Sequence, residues 1–188
     1  MKKNLKPSNI LFPMPVLVVS TYNEDGTVDC MAAAWVTMED NDVVLIELAR
    51  DHKTTANISR NKSFTLAVAD KDNVVSTDYV GVVSQNDDKE KFLKTGWTAK
   101  KAEYVDAPII NEMKLSFECE LLKIFDDGDE YIVYGKIKNV VVDDSILDER
   151  GHIDFTKAGF ITYNSADQSY RVVTEKVGCA FRDGLKLK

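Results

Sequence analysis

The chain has 188 residues, of which 44% are hydrophobic and 29% are charged, and its formal net charge at pH 7 is -7. A chain of this length and composition can form one globular domain with its own hydrophobic core. The acidic balance argues against nucleic acid or an anionic membrane surface as a partner, because both attract dense clusters of lysine and arginine. No segment approaches the roughly 20 apolar residues of a transmembrane helix, and the N-terminal residues do not fit a secretory signal, so we expect a cytoplasmic protein.

The first predicted elements are two strands joined by a tight turn. Residues 16–22 are β-branched and aromatic, and residues 23–26 end in the Asp-Gly pair that favours hairpin turns. A second strand should therefore begin near Thr27. It runs into Ala32-Ala-Ala-Trp35, where small side chains would let either a flat ligand or another element approach the backbone. The pattern alone leaves both interpretations open.

A strand–helix–strand unit follows. Residues 43–49 are an almost uninterrupted apolar run, which predicts a central strand covered on both sides. Residues 54–61 predict a helix, and residues 64–69 predict a further strand. The helix would begin at the end of a strand, which is a common position for ligand sites.

The junction between this strand and this helix carries an unusual group of cations. Arg50, His52 and Lys53 surround the predicted helix start, where the partial positive charge of the helix and its free N–H groups normally favour acidic residues. A phosphate held between the N–H groups and the basic side chains would explain the pattern. In the alternative, Asp51 or Thr54 caps the helix while the cations point into water.

The second half predicts a helical insert and then more strands. Residues 72–96 are mainly helical in pattern, with a bend near Gly81 and Ser84. Residues 115–121 alternate strictly between apolar and polar side chains, which predicts a strand. Three further strands are predicted at residues 131–142, with Gly135 a candidate bulge, at 160–163 and at 170–174. Long bent hairpins of this kind are typical of a barrel.

The cysteines and histidines indicate neither a disulfide framework nor a metal site. Cys30, Cys119 and Cys179 are far apart and include no Cys-x-x-Cys pair, so we expect reduced, buried thiols. The two histidines, His52 and His152, form no metal-binding pattern with them. We assign His52 to anion binding rather than general-base chemistry, and His152 to a loop.

The order of these segments resembles the flavin reductase-like, FMN-binding split-barrel family, close to its flavoredoxin group. The motifs that carry the resemblance span nearly the whole chain: Pro13-Met-Pro15, Ala32-Ala-Ala-Trp-Val-Thr37, Arg50-Asp-His-Lys-Thr54, Asn61-Lys-Ser-Phe64, Gly81-Val-Val-Ser84 with Lys91-Phe92, and Ala107-Pro108 ahead of Glu118-Cys119. One departure is Glu90-Lys91-Phe92, which stands where the family has Asp-Lys-Phe.

The resemblance implies a mainly β fold, a Greek-key split β-barrel with flanking helices, in a single domain spanning residues 1–188. It also implies FMN as the cofactor and a homodimer with FMN near the subunit interface. The implied phosphate-binding residues are Arg50, His52, Lys53, Thr54 and Asn57. The implied lining of the isoalloxazine ring is Ala33, Ala34, Trp35, Val36 and Thr37, with Ser84 and Lys91 approaching from the insert.

The implied activity is that of an NAD(P)H:flavin reductase, in which hydride passes from a nicotinamide to the flavin without a catalytic side chain or a metal. The chain has no Gly-x-Gly-x-x-Gly fingerprint, so a nicotinamide would stack transiently on the flavin. Two alternatives stay open. One is a flavoredoxin-like electron carrier reduced by a redox protein, which an acidic surface would suit. The other is a flavin-free interaction domain.

Overall fold

The computed structural model describes all of residues 1–188 and consists mainly of β-strands. The strands are β1 (Met14–Pro15), β2 (Leu17–Tyr22), β3 (Val28–Ala33), β4 (Val36–Asp40), β5 (Val43–Ala49), β6 (Ser63–Val68), β7 (Ala99–Lys101), β8 (Pro108–Ile110), β9 (Leu115–Asp126), β10 (Glu130–Val142), β11 (Ile161–Asn164) and β12 (Ser169–Val172). The helices are α1 (Lys53–Asn61), α2 (Val74–Val82), α3 (Lys91–Lys94) and α4 (Phe155–Ala158), with 3₁₀ turns at Lys71–Asn73, Asp144–Ile146 and Asp183–Leu187.

Seven of the strands form one sheet, in the order β3-β2-β6-β9-β10-β5-β4. All of its neighbouring pairs are antiparallel. Three pairs are hairpins, β2–β3, β4–β5 and β9–β10. Strand β6 lies between β2 and β9 and pairs with both, although these two strands are far apart in the sequence. A smaller sheet, β1-β11-β12, brings the end of the domain back to its beginning.

The predicted first hairpin is confirmed. The Gly26 N–H donates to the Asn23 carbonyl at 3.1 Å, and Gly26 has a φ of +80°, which the Asp-Gly turn requires. The main hydrophobic core lies inside the seven-stranded sheet and is built from side chains such as Val19, Ile46 and Phe64, all fully buried.

The prediction that residues 43–49 form a central strand covered on both sides is wrong in its placement. The strand exists with those bounds, but β5 is next to the edge strand β4. Val44, Ile46 and Leu48 are buried, whereas Glu47 is exposed. The apolar run therefore alternates between a covered and a more open face, as in an ordinary barrel strand.

The alternation in β9 is also modified by packing. Leu115 and Cys119 are buried as predicted, but Ser116 and Glu118 on the opposite face are buried as well. The Glu118 carboxylate accepts hydrogen bonds from the Tyr104 backbone N–H at 2.6 Å and from Asn139 Nδ2 at 3.0 Å. These partners satisfy the buried acid.

The predicted bulge at Gly135 is confirmed by a register shift between Tyr134 and Gly135 in the β9–β10 ladder. A Cβ at this position would collide with the fully buried ring of Phe64 and lie 3.3 Å from Val44 Cγ1. Glycine therefore lets the bent strand approach the core closely.

The helical insert is confirmed and packs against β3. Helix α2 ends at Val82, one residue after Gly81, where a Cβ would lie only 3.2 Å from Ala32 Cβ. Helix α3 has only four residues. None of the helices combines the length and the apolar character that crossing a lipid bilayer requires.

The prediction that the thiols are buried holds for two of the three. Cys30 and Cys119 are free and buried in the barrel, whereas Cys179 is free but exposed in the C-terminal tail. The residues of this tail belong to none of the hydrophobic core clusters, so no core covers Cys179. His152 lies exposed in a loop, as predicted.

Candidate functional site

Helix α1 begins without a side-chain cap. Its N-cap residue is His52, in an extended conformation, and its first turn contains no acidic residue. Asp51 and Thr54 do not cap it, so the capping alternative is wrong: the Thr54 hydroxyl instead donates to the Asp29 carboxylate at 2.6 Å. The helix start therefore offers backbone N–H groups that no side chain occupies.

Arg50, the first cation of the junction, is used within the protein. Its guanidinium forms an ion pair with Asp126 and lies 4.7 Å from the centre of the Tyr131 ring. The hydrogen bond that the guanidinium donates to Asp126 raises the pKa of Arg50, which is already basic. Arg50 does not line the cavity at the helix start, so its role in binding phosphate stays a prediction.

A cavity of about 140 Å³ opens at the start of α1, and we call it the polar cavity. It brings together five residues that were predicted as site residues from distant parts of the sequence, namely His52, Lys53, Thr54, Ser84 and Lys91. The strand β3 supplies its wall through Asp29 and Met31, and the segment after α2 supplies Gln85.

Asp29 is the buried acid of the polar cavity and is only 1% exposed. Its Oδ2 accepts from the Thr54 hydroxyl at 2.6 Å and from the Thr21 hydroxyl at 3.4 Å. Its Oδ1 is buried and has no hydrogen-bond partner. Burial raises the pKa of the Asp29 carboxyl, although these hydrogen bonds and the charge of Lys91 oppose the shift.

Lys91 is the buried cation of the same cavity, with 2% of its surface exposed. Its ammonium forms none of the ion pairs or side-chain hydrogen bonds of the protein, and burial lowers its pKa. Gln85 Oε1 and His52 Nδ1, like Asp29 Oδ1, are buried without hydrogen-bond partners. Unsatisfied buried polar groups are costly, and groups of this kind concentrate at ligand-binding sites.

Two open cavities of about 400 Å³ each share a wall formed by residues 32–35. One is completed by the aromatic rings of Tyr163 and Tyr170, and the other by Leu48 and Glu130. Both adjoin the polar cavity: the first through Gly81 and Val82, the second through Met31 and His52. Trp35 stands at their common rim and is 49% exposed.

The site is thus a depression that is polar and cationic at the start of α1 and largely apolar along residues 32–35. Residues 9–163, which include all of these walls except Gln168 and Tyr170, match the sequence profile of the family described as "Flavin reductase like domain". The chain belongs to the flavin reductase-like family.

Relatives of known structure share this fold over their full length. The chain is similar to flavoredoxin of Desulfovibrio vulgaris (Miyazaki F), with 28% identity and a TM-score of 0.92 over 98% of this chain and 100% of that one. It is similar to flavoredoxin from Methanosarcina acetivorans, with 26% identity and a TM-score of 0.90 over 100% of both chains. An uncharacterized protein of Aquifex aeolicus (strain VF5) is 28% identical over 155 residues, or 79% of each chain. The split-barrel fold is confirmed.

Besides Arg50, three predicted site residues of this flavin reductase-like chain do not line the cavities described above. Val36 packs against the barrel core, and Thr37 pairs with Leu45 between β4 and β5. Asn57 is fully buried and donates to Asn23 Oδ1 at 2.8 Å, which fixes α1 to the first hairpin turn. Their contacts with a cofactor stay predictions.

The sequence reasoning missed several residues that line the depression. Asp29 had a usable signal, because it is a charged residue inside the otherwise largely apolar strand β3. Tyr170 had none: it comes from the smaller sheet, and its hydroxyl donates to Asp78 Oδ1 across 92 positions at 2.8 Å. No group of three or more His, Cys, Asp or Glu side chains is arranged to hold a metal ion.

Proposed function

We propose that this flavin reductase-like protein is an FMN-binding oxidoreductase of the NAD(P)H:flavin reductase type. The observation that carries the proposal is the division of one depression into a polar, cationic end and a flat, apolar end. FMN has the same division, with a phosphate at the end of a hydroxylated chain and a planar ring at the other end. A protein site that matches both ends fixes the position and the orientation of the ring.

The polar cavity would hold the phosphate. The uncapped N-terminus of α1 supplies N–H donors, and Lys53 and Lys91 line the same space. Helix starts and lysine side chains both stabilise phosphate oxygens, and charge-assisted hydrogen bonds are the strongest of these contacts. A bound phosphate would also give the buried Lys91 ammonium the acceptor that the protein itself does not provide.

The segment 32–35 would carry the ring. Ala33 and Ala34 keep their side chains short, so a planar group can approach the backbone there. The half-exposed Trp35 and the Tyr163 ring offer apolar faces at the rim. When bound, the flavin would supply the hydride chemistry, so the side chains are needed to bind, to orient and to leave one face of the ring accessible to a donor.

A homodimer and a cytoplasmic location belong to the same proposal. Large apolar side chains, Val75, Val82 and Trp35, are exposed on α2 and at the rim of the site. Contact with a second subunit would remove this surface from water and narrow the open cavities. The exposed free thiol of Cys179 suits a reducing compartment.

A second candidate is an electron carrier that a redox protein reduces. The two flavoredoxin structures, which match 98% and 100% of the chain at 28% and 26% identity, favour it. The net charge of -7 would suit a basic partner.

Anaerobic reduction separates the two candidates. FMN-loaded protein is mixed with NADH or with NADPH, and the flavin absorbance is followed. Rapid bleaching by either donor supports the reductase, whereas persistent yellow colour with both supports the carrier. Protein that binds no added FMN would overturn both and leave a flavin-free interaction domain.

The phosphate site is tested by comparing FMN with riboflavin, which lacks the phosphate. Lys53→Ala should weaken FMN binding by roughly 10- to 100-fold, as expected for loss of a charge-assisted hydrogen bond, and leave riboflavin almost unaffected. Arg50→Ala, measured alongside, reports whether Arg50 leaves Asp126 to join the site. The exposed Lys89→Ala is the matched control. Unchanged FMN affinity in both Lys53→Ala and Arg50→Ala would refute the assignment.

A further inference from the structure

We propose that Asp29 is a further FMN-binding residue, and that it hydrogen-bonds to the phosphate as the neutral acid, so that FMN binding takes up a proton. The inference rests on the proposed function. It starts from an acid that the sequence reasoning did not include among the site residues and that lines the polar cavity together with the cations.

The two oxygens of the Asp29 carboxyl group differ in their hydrogen bonding. Asp29 Oδ2 is held by donors from two elements, Thr54 of α1 at 2.6 Å and Thr21 of β2 at 3.4 Å, with Asn57 Nδ2 at 3.5 Å. Asp29 Oδ1 has no partner although it is buried. One oxygen is therefore fixed by the protein, and the other is left for something that enters the cavity.

The charged and titratable groups around Asp29 are few. Lys53 and His52 face the polar cavity from the start of α1, and Lys91 faces it from α3. The neighbouring thiol of Cys30 is buried, and burial raises its pKa to about 12, so it stays neutral. None of the cations lies within ion-pair distance of the carboxylate, because Asp29 belongs to none of the salt bridges of the protein.

A phosphate in this cavity decides the protonation state of Asp29. An ionised carboxylate only accepts hydrogen bonds, and so does a phosphate dianion, so the two would repel each other at contact distance. A protonated carboxyl has one O–H donor, which Oδ1 can direct at a phosphate oxygen. Burial already raises the pKa of Asp29 in the free protein, and the phosphate charge raises it further.

The sign of the pH dependence follows from this difference. The pKa of Asp29 is higher in the complex than in the free protein, so the complex binds more protons wherever the free protein has Asp29 ionised. FMN affinity should then fall as pH rises between those two pKa values, by as much as about tenfold per pH unit. Asp29→Asn cannot ionise, so it should lose this slope and bind FMN more tightly than the wild type at the alkaline end.

The experiment is calorimetric titration of FMN into the flavin-free protein from about pH 7 to about pH 9, where the FMN phosphate is already a dianion. Each titration is run in two buffers of different ionisation enthalpy, which gives the number of protons taken up. We expect wild type to take up more protons with FMN than Asp29→Asn does, by up to one proton, because Lys91, whose pKa is lowered by burial, contributes to both proteins alike. With riboflavin, the proton uptake of wild type and of Asp29→Asn should not differ. The Asn side chain keeps an oxygen that can accept from Thr54.

Three outcomes would overturn the inference. Equal proton uptake by wild type and Asp29→Asn would assign the proton elsewhere, and no uptake by wild type across the range would show that FMN binding does not change the protonation of Asp29. An equal loss of FMN and riboflavin affinity in Asp29→Asn would place Asp29 on the ribityl hydroxyls instead. If neither flavin binds wild type, the proposed function fails and the inference with it, whereas FMN binding without Asp29-dependent uptake overturns the inference alone.

A measurement on the wild type alone covers the case in which Asp29→Asn does not fold. Infrared difference spectra of protein labelled with ¹³C-aspartate are recorded with and without flavin. A carbonyl band of a protonated aspartic acid should appear on adding FMN and not on adding riboflavin. Absence of that band with FMN contradicts the proposal independently of any variant.

Discussion

Replacing Lys91 by methionine should stabilise the flavin-free protein and weaken FMN binding. Lys91 is buried and its ammonium forms no ion pair or side-chain hydrogen bond, and burial outweighs the favourable effects of Cys30 and Asp29 in setting its pKa. Methionine has a similar length and shape and carries no charge. Replacing poorly compensated buried charge by apolar side chains often stabilises proteins by about 1–4 kcal/mol, and we expect the free energy of unfolding without FMN to rise within this range.

The cofactor-bound protein should respond in the opposite direction. Loss of one charge-assisted hydrogen bond costs about 1.5–3 kcal/mol, or roughly 10- to 100-fold in affinity. At an FMN concentration of about 100 times the wild-type Kd, FMN stabilises the wild type by about 2.7 kcal/mol. With the Kd raised 10- or 100-fold, the same FMN concentration stabilises Lys91→Met by only about 1.4 or 0.4 kcal/mol.

Urea unfolding with and without FMN measures both effects. Lys94→Met is the matched control, since Lys94 lies on the same helix but is exposed and bonded to Asp88 at 2.6 Å.

Burial lowers the pKa of Lys91. The destabilising effect of Lys91 is therefore full below that pKa and fades as pH rises toward the ordinary lysine value. The stability gap between Lys91→Met and wild type should therefore narrow from about pH 7 to about pH 10. A less stable flavin-free variant, or unchanged FMN affinity, would refute the reasoning.

Two further predictions concern the barrel and the thiols. Gly135→Ala should lower the free energy of unfolding by about 1–3 kcal/mol through overpacking against Phe64. Gly184→Ala is the control and should change it little, because its new methyl group meets nothing within 4 Å. Equal stability of the two variants in denaturant titrations would show that the core rearranges around the added methyl group without cost. A thiol-specific reagent should modify only Cys179 in the native protein and all three cysteines after unfolding, because Cys30 and Cys119 are buried and burial raises their pKa values; rapid modification of a second native thiol would contradict this.

The sequence was most informative where structure is set by neighbouring residues. The Asp-Gly turn at Gly26 and the alternation that begins at Leu115 depend on local backbone preference and burial, and both elements formed where predicted. The cations at the start of α1 were visible too, because they stand where acids normally stand, but the sequence left open whether Asp51 or Thr54 caps the helix.

What the sequence could not show depends on contacts between distant segments. Arg50 pairs with Asp126, 76 positions away, and no local pattern separates that use from phosphate binding. The position of β5 next to the edge strand β4 depends on which strands pair with it, and an apolar run alone does not specify its neighbours. Asp29 became part of the site because α1, α3 and the segment after α2 converge on β3.

The half-exposed Trp35 at the rim of the proposed flavin site gives the protein an optical reporter of cofactor binding. The other tryptophan, Trp97, is buried in a second core, and its indole N–H donates to Asn73 Oδ1 at 3.0 Å. A flavin seated along residues 32–35 would lie against Trp35 and quench its emission. Trp35→Phe would therefore remove the part of the flavin-dependent change in tryptophan fluorescence that arises at Trp35, and the change that remains would report on Trp97.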